Sequence, residues 1–190
     1  GEQERLYLVV NTQYMDMEGQ ILAAAEQHVI NLFAESNQDK LVYHNLAHTL
    51  GVVEVCRKMG EHYRLSADDM LAVQLAAWFH DAGYLIGAPQ HHEESGAEYA
   101  AAFLEQQHVD TSIIEKVKGC ILATRIPQRP TNLLEEITCD SDLFHLGSEQ
   151  FKTLSKQMRR EKTMLCNRNV TGKEWREETI KFLEQHQYFT

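Results

Sequence analysis

The sequence predicts an all-α bundle. Apolar residues recur at a helical period in almost every segment, capping patterns open several of those segments, and no stretch alternates convincingly as a strand, a weak run over Leu6–Val10 aside. With 190 residues, 43% of them apolar, the chain is of a size that one core serves. Three prolines and the lack of any Gly/Ser-rich stretch or internal repeat leave no linker. Residues 1–190 are therefore expected to form one helical domain, with its motif-bearing core over about 35–165.

The first helix is expected from about Asp16 to Ala34, where Ile21, Ala24, Ala25, Val29 and Leu32 follow a period near 3.6. A second runs through Leu46, Leu50, Val53 and Met59 with a broad apolar face. Ser66 with Asp69 reads as an N-cap opening a third helix through Leu71, Leu75, Trp78 and Phe79, which Gly83 ends. After a loop over 84–90, a helix is expected from about Glu93 to Gln107, with a break at 108–110. Ser112 and Glu115 read as a capping box for the next helix, stopped by Pro127 and Pro130. Further helices are expected at about 132–145 and 148–166, and a last one from Thr171 to about Gln187.

A formal charge of −10 argues against nucleic acid or an anionic membrane as partner, since both reward clustered Lys and Arg. Small phosphorylated substrates stay open, because a divalent ion in a pocket supplies the positive charge that the surface lacks. Cys56, Cys120, Cys139 and Cys166 form no C-x-x-C pair, which disfavours a zinc ribbon and a dithiol redox motif. No signal-peptide pattern opens the sequence and no apolar run approaches the roughly 18 residues of a membrane span. A reduced, cytoplasmic setting is expected.

Four segments carry candidate chemistry. Tyr43-His-Asn-Leu-Ala-His48 places His44 and His48 at i and i+4, where one helical face would point both into one pocket; two unrelated histidines are the alternative. His80 and Asp81 are adjacent, and adjacent helical residues can grip one ion from neighbouring directions only at a helix end, which is where they fall. The other reading is a buried His-Asp hydrogen bond. Asp140 and Asp142 add two carboxylates at i and i+2, with N-capping the alternative for Asp140. In His91-His-Glu-Glu-Ser-Gly-Ala97, acidic side chains stand at a helix start, a placement that the helix dipole alone also favours. The charge run Lys156–Lys162 reads as a solvated helix face and Trp175 as a core anchor.

Taken together, His48, His80-Asp81 and Asp142 resemble the H…HD…D pattern of the HD superfamily of metal-dependent phosphohydrolases. His48-Thr-Leu-Gly-Val52 is similar to the family's H-[ST]-L-x-V start, and Leu75-Ala-Ala-Trp-Phe-His-Asp-Ala-Gly83 to its apolar helix ending in HD-x-G. The resemblance implies an HD-domain, phosphodiesterase-like helical bundle. It implies a metal site of His48, His80, Asp81 and Asp142, with Asp140 as the fallback for the last ligand.

Tyr43-His-Asn-x-x-His48 also resembles the signature of cyclic-nucleotide phosphodiesterases, a branch of the same superfamily, and so implies His44 as the general acid. The chain is much shorter than that branch and lacks the histidine found there soon after HD. The segment at 91–97 resembles the helix start after the HD pair in several HD hydrolases, which implies Glu94 as a water-orienting residue and His92 as a possible second-site ligand. The segment 123–127 lacks the further histidine of dinuclear members, which implies one tightly held metal and disfavours a di-iron oxygenase. Arg125 and Arg129 are the nearest basic candidates for a phosphate, with plain surface arginines as the alternative.

Two imidazoles with two carboxylates favour Mn, Fe, Ni, Co or Zn over Mg. The implied reaction is hydrolysis of a phosphomonoester or phosphodiester, of a nucleotide, by water that the metal activates while His44 protonates the leaving group. The alternative is a regulatory module that binds nucleotide and metal without turnover.

Overall fold

The computed structural model describes residues 2–36, 39–87 and 89–190, with side chains from 17 onward. The helices are α1 (Glu2–Glu35), α2 (Leu46–His62), α3 (Ala67–Phe79), the single turn α4 (Ala82–Leu85), α5 (His92–Gln106), α6 (Thr111–Ala123), α7 (Leu133–Asp142), α8 (Phe151–Leu165) and α9 (Gly172–Gln185). Tight 3-10 turns at Pro89–His91 and Phe144–Gly147 lead towards α5 and α8. Among the described residues there is no strand, and the Leu6–Val10 run lies within α1. None of these helices is long and apolar enough to cross a membrane. Ala88, in the loop expected over 84–90, lies outside the described residues.

Helix α3 is the hub. Leu71, Ala72, Val73, Leu75, Ala76, Ala77, Trp78 and Phe79 are all buried, so the helix is apolar on every side and belongs inside. It packs on α1, α2, α5, α6 and α7. Its start is capped as expected, with Ser66 accepting from the Asp69 amide at 3.2 Å. Asp69 then receives Lys116 of α6 at 2.7 Å. Because the hub is enclosed, the residues that follow it, His80 and Asp81, emerge in the interior at 1% and 5% exposure.

The expected role of Gly83 as helix terminator is corrected. α3 stops at Phe79, and Gly83 lies inside α4. Its constraint is proximity: a Cβ there would fall on the backbone of His92, far inside van der Waals contact. Gly96 of α5 faces the same junction, where a Cβ would stand 3.3 Å from the Phe79 carbonyl oxygen and 3.4 Å from the Gly83 nitrogen. The two glycines let α5 approach the turn that carries His80 and Asp81.

Other local expectations shift too. The cap of α6 is Asp110, which accepts from the Ser112 amide at 2.7 Å, rather than Ser112. α2 begins at Leu46 with Asn45 as its cap, accepting from His48 N at 3.1 Å. His44 therefore precedes the helix and does not share a helical face with His48. Asp140 is not an N-cap, since it falls in the last turn of α7.

Near the C-terminal end, the Trp175 indole of α9 donates to Ser155 Oγ of α8 at 2.9 Å, and Lys162 pairs with Glu178 at 2.6 Å. The following tail returns to α7: Tyr188 donates to the Leu143 carbonyl at 3.2 Å, and the Phe189 and Thr190 amides donate to Asp140 at 3.0 and 2.8 Å. Cys56, Cys120 and Cys139 are buried and Cys166 is exposed, and all four are free thiols.

Candidate metal centre

Three parts of the fold converge on one point. His48 comes from the first turn of α2, His80 and Asp81 from the junction of α3 with α4, and Asp142 from the end of α7. His48 Nε2 lies 3.2 Å from Asp142 Oδ1, 3.3 Å from His80 Nε2 and 3.5 Å from Asp81 Oδ2. His80 Nε2 lies 3.1 Å from Asp81 Oδ2 and 3.6 Å from Asp142 Oδ1. His80 Nδ1 donates to the Ala77 carbonyl at 2.8 Å, which directs the lone pair of Nε2 into the cluster when the ring is neutral.

These residues fit a divalent cation. Ligand atoms about 2.1 Å from one ion stand about 3.0–3.4 Å from their neighbours, close to the separations seen. Asp81 Oδ2 is buried without a hydrogen-bond partner, an orphaned lone pair that a cation would satisfy. Among the described residues, His48, His80 and Asp142 form a group of side chains whose ligating atoms lie near enough to one another to hold an ion. Burial disfavours the charged form of His80, but Asp81 beside it outweighs this and pushes the imidazole up to about 9. For Asp81, burial opposes ionisation, and His80 and His44 overcome it and hold the carboxyl below the usual range.

Asp140, the fallback ligand, is buried yet turned to the tail, where it accepts from Phe189, Thr190 N and Thr190 Oγ1. Its lone pairs are spent there, so Asp142 is the carboxylate that reaches the cluster.

His44 sits beside this cluster, 6.0 Å from the His48 ring by centroid. Its Nδ1 is hydrogen-bonded to Glu161 Oε1, while Glu161 Oε2 accepts from the backbone amides of Tyr43 at 2.7 Å and His44 at 3.1 Å. Burial opposes a charged imidazole at His44, but Asp81 and then Glu161 outweigh it, and the pKa is raised. Glu161 lies within the charge run expected to be a solvated face, and at 2% exposure it corrects that expectation. Nothing in its sequence surroundings marks it.

A cavity of about 300 Å³ opens over the cluster, lined by His44, Asp81 and Asp142 on one side and by α8 and α9 on the other. Tyr84 stacks on both His44 and His92, at 4.2 and 4.1 Å between ring centroids. His92 lines the cavity without joining the group of ligating atoms. Glu93, buried, lines it too, whereas Glu94 does not: its carboxylate pairs with Arg125. Neither Arg125 nor Arg129 lines the cavity, and both are exposed.

Further residues without a sequence signal contribute. His145 lines the cavity and meets the Tyr43 hydroxyl at 3.3 Å, and burial lowers its pKa. Trp175, expected as a core anchor, is instead half-buried in the cavity wall. A second cavity of about 520 Å³ lies on the side of His48, and Asp142 lines both.

A family profile for the HD domain matches residues 45–147, just over half of the chain and including all four clustered residues. Among solved structures, the chain resembles that of a predicted HD superfamily hydrolase from an uncultured Thermotogales bacterium. The TM-score is 0.58, with 21% identity over 87% of this chain and 88% of that one, a likeness of fold. No curated protein matches the chain at a significant level. The helical fold, the H…HD…D residues brought together at one point and the profile match agree that the chain belongs to the HD domain family.

Proposed function

We propose that the chain is a metal-dependent phosphohydrolase that cleaves a small phosphomonoester or phosphodiester at the His48, His80, Asp81 and Asp142 cluster. The observation that carries this reading is the convergence of two imidazoles and two carboxylates beside a cavity that Asp81, Asp142 and His44 line. The two imidazoles and two carboxylates suit a divalent ion of the Mn, Fe, Ni, Co or Zn kind better than Mg. Bound there, such an ion supplies charge to polarise a phosphoryl oxygen and lowers the pKa of water.

The chain's own residues do the rest. Glu161 fixes Nδ1 of His44, which leaves Nε2 as the nitrogen available to the leaving oxygen. The Glu161 carboxylate at Nδ1 favours the protonated ring, which can then transfer its Nε2 proton to that oxygen. Glu93, at the cavity wall, takes the water-orienting role expected of Glu94, whose carboxylate is held by Arg125. Tyr84 supports both His44 and His92 through its ring.

The test is metal analysis of the purified protein with assays against a panel of phosphoesters, nucleotides included, for wild type, His80→Ala and Asp81→Ala. Metal bound in wild type, and both metal and turnover lost in the variants, is the expected result. Turnover indifferent to both substitutions would sink the reading. Tight nucleotide binding with no product over long incubation would favour a regulatory module instead.

A further inference from the structure

The wall of the cavity facing the cluster has a chemistry of its own. Leu146, Phe151, Met158, Trp175 and Phe182 make most of it apolar. Apart from the imidazoles of His44, His92 and His145, of which His44 has a raised pKa, the charged side chains of the lining are Asp81, Glu93, Asp142 and Glu178, all acidic, and no Lys or Arg lines it among the described residues. Lys162 reaches Glu178 but is not part of the lining, and Arg125 is engaged by Glu94.

Five hydroxyl side chains line the cavity, those of Tyr43, Tyr84, Thr124, Ser155 and Thr179, and the Tyr43 hydroxyl is shared with His145 at 3.3 Å. Two have already given away their protons, Thr124 to the Ile121 carbonyl and Thr179 to the Trp175 carbonyl, each at 2.7 Å. Ser155 accepts the Trp175 indole proton, which fixes the ring as part of the wall. Buried polar groups on a ligand need partners. A polyol would find the Tyr84 and Ser155 hydroxyls but few other partners here, and a second anionic group would meet carboxylates with no Lys or Arg to offset them.

Resting on the phosphohydrolase reading of the same site, we infer that the substrate carries one phosphoryl group on a compact, uncharged, aromatic or otherwise apolar organic part. A single phosphoryl group needs one source of positive charge, and the cluster is built to hold it. The flat rings of Phe151, Trp175 and Phe182 suit an aromatic partner. A cavity of about 300 Å³ stands at the small end of ligand sites. Nucleoside di- and triphosphates fall outside this class, because their further phosphates would have no Lys or Arg to meet and His44 is committed to the leaving oxygen.

Binding can be followed without turnover. Trp175 lines the cavity and Trp78 is buried in the core, so ligand-induced changes in indole fluorescence report on Trp175. Purified holoprotein is titrated with three non-hydrolysable phosphonates: phenylphosphonate, 4-carboxyphenylphosphonate, which adds an anion to the same ring, and 2,3-dihydroxypropylphosphonate, which replaces the ring by a polyol.

Phenylphosphonate is expected to bind at least tenfold more tightly than either of the others. Phe182→Ala should narrow its advantage over the dihydroxypropyl compound while metal content stays the same. Should that variant fail to fold, the wild-type order alone decides. Equal affinities, a reversed order, or no binding of any of the three overturns the inference.

Hydrolysis of phenyl phosphate is measured separately. Tight phenylphosphonate binding with no hydrolysis would remove the phosphohydrolase reading and keep the ligand class. Hydrolysis of phosphoesters with no apolar preference would do the reverse.

Discussion

The Nδ1 nitrogen of His44 is hydrogen-bonded to Oε1 of Glu161, a residue 117 positions away on α8. The same carboxylate takes the backbone amides of Tyr43 and His44 through its other oxygen, so one buried group holds the segment before α2 and aims its imidazole. His44→Ala is expected to lower kcat by about 10²- to 10⁴-fold, the usual worth of a proton donor, with metal content intact. Glu161→Gln keeps the shape but removes the charge and an acceptor. Its kcat should fall by less than that of His44→Ala, with KM little changed, because Glu161 acts only through His44. A drop in bound metal in either variant would move these residues into the ligand set.

Asp140 and Asp142 sit two residues apart on α7 and serve different ends. Asp142→Ala is expected to lose metal and turnover together. Asp140→Ala should keep its metal but free the Phe189 and Thr190 amides from their shared acceptor. Hydrogen bonds to a charged group are worth about 1.5–3 kcal/mol each in favourable cases, so a loss of about 2 kcal/mol and faster proteolysis of the tail should follow. Metal analysis, thermal unfolding and limited proteolysis separate the two.

That His48, His80, Asp81 and Asp142 come together could be read from the sequence, because their spacing and apolar surroundings make a pattern that does not depend on tertiary detail. The sequence pattern favours Asp142 over Asp140, and the tail gives the physical reason, since its amides occupy Asp140. Glu161 was hidden because a carboxylate in a run of charges looks solvated until one knows that the chain before α2 passes over it. Trp175 and His145 were hidden for a similar reason: their part in the cavity depends on where α8 and α9 lie, and helical periodicity reports only which face of a helix is apolar. Glu93 and Glu94 are adjacent at the first turn of α5, and a helix boundary displaced by one residue decides which of them faces inward.

Gly83→Ala tests whether close approach at the α4–α5 junction is required. The new methyl group would fall on the His92 backbone, which cannot rotate away as a side chain could. A loss of at least about 1–3 kcal/mol is expected, the range for overpacking, with reduced turnover as His92 and Glu93 are displaced. Gly51→Ala in α2 is the control, since a Cβ there meets nothing within 4 Å. It should instead gain about 0.5–1 kcal/mol from the lower helical cost of alanine. Thermal or urea unfolding of the two variants gives the comparison.

His28 tests the pH response of the core away from the metal centre. Its ring packs on Phe103 at 4.5 Å and Phe79 at 6.2 Å between centroids, and Nε2 lies 2.9 Å from the Tyr99 hydroxyl. Burial lowers its pKa below the ordinary 6.5, more than Glu35 raises it. As pH falls through 6.5, the unfolded chain takes up a proton on this residue that the folded chain resists, so His28 contributes a loss of stability towards acid and none above neutrality. His44 and His80, whose pKa values are raised, contribute in the opposite sense, so the difference between wild type and His28→Leu is the informative quantity. Urea midpoints at pH 7.5 and 5.5 should show the wild type losing more, or gaining less, than His28→Leu as the medium is acidified. An identical change in both proteins would mean that His28 takes up its proton as readily in the folded state as in the unfolded one.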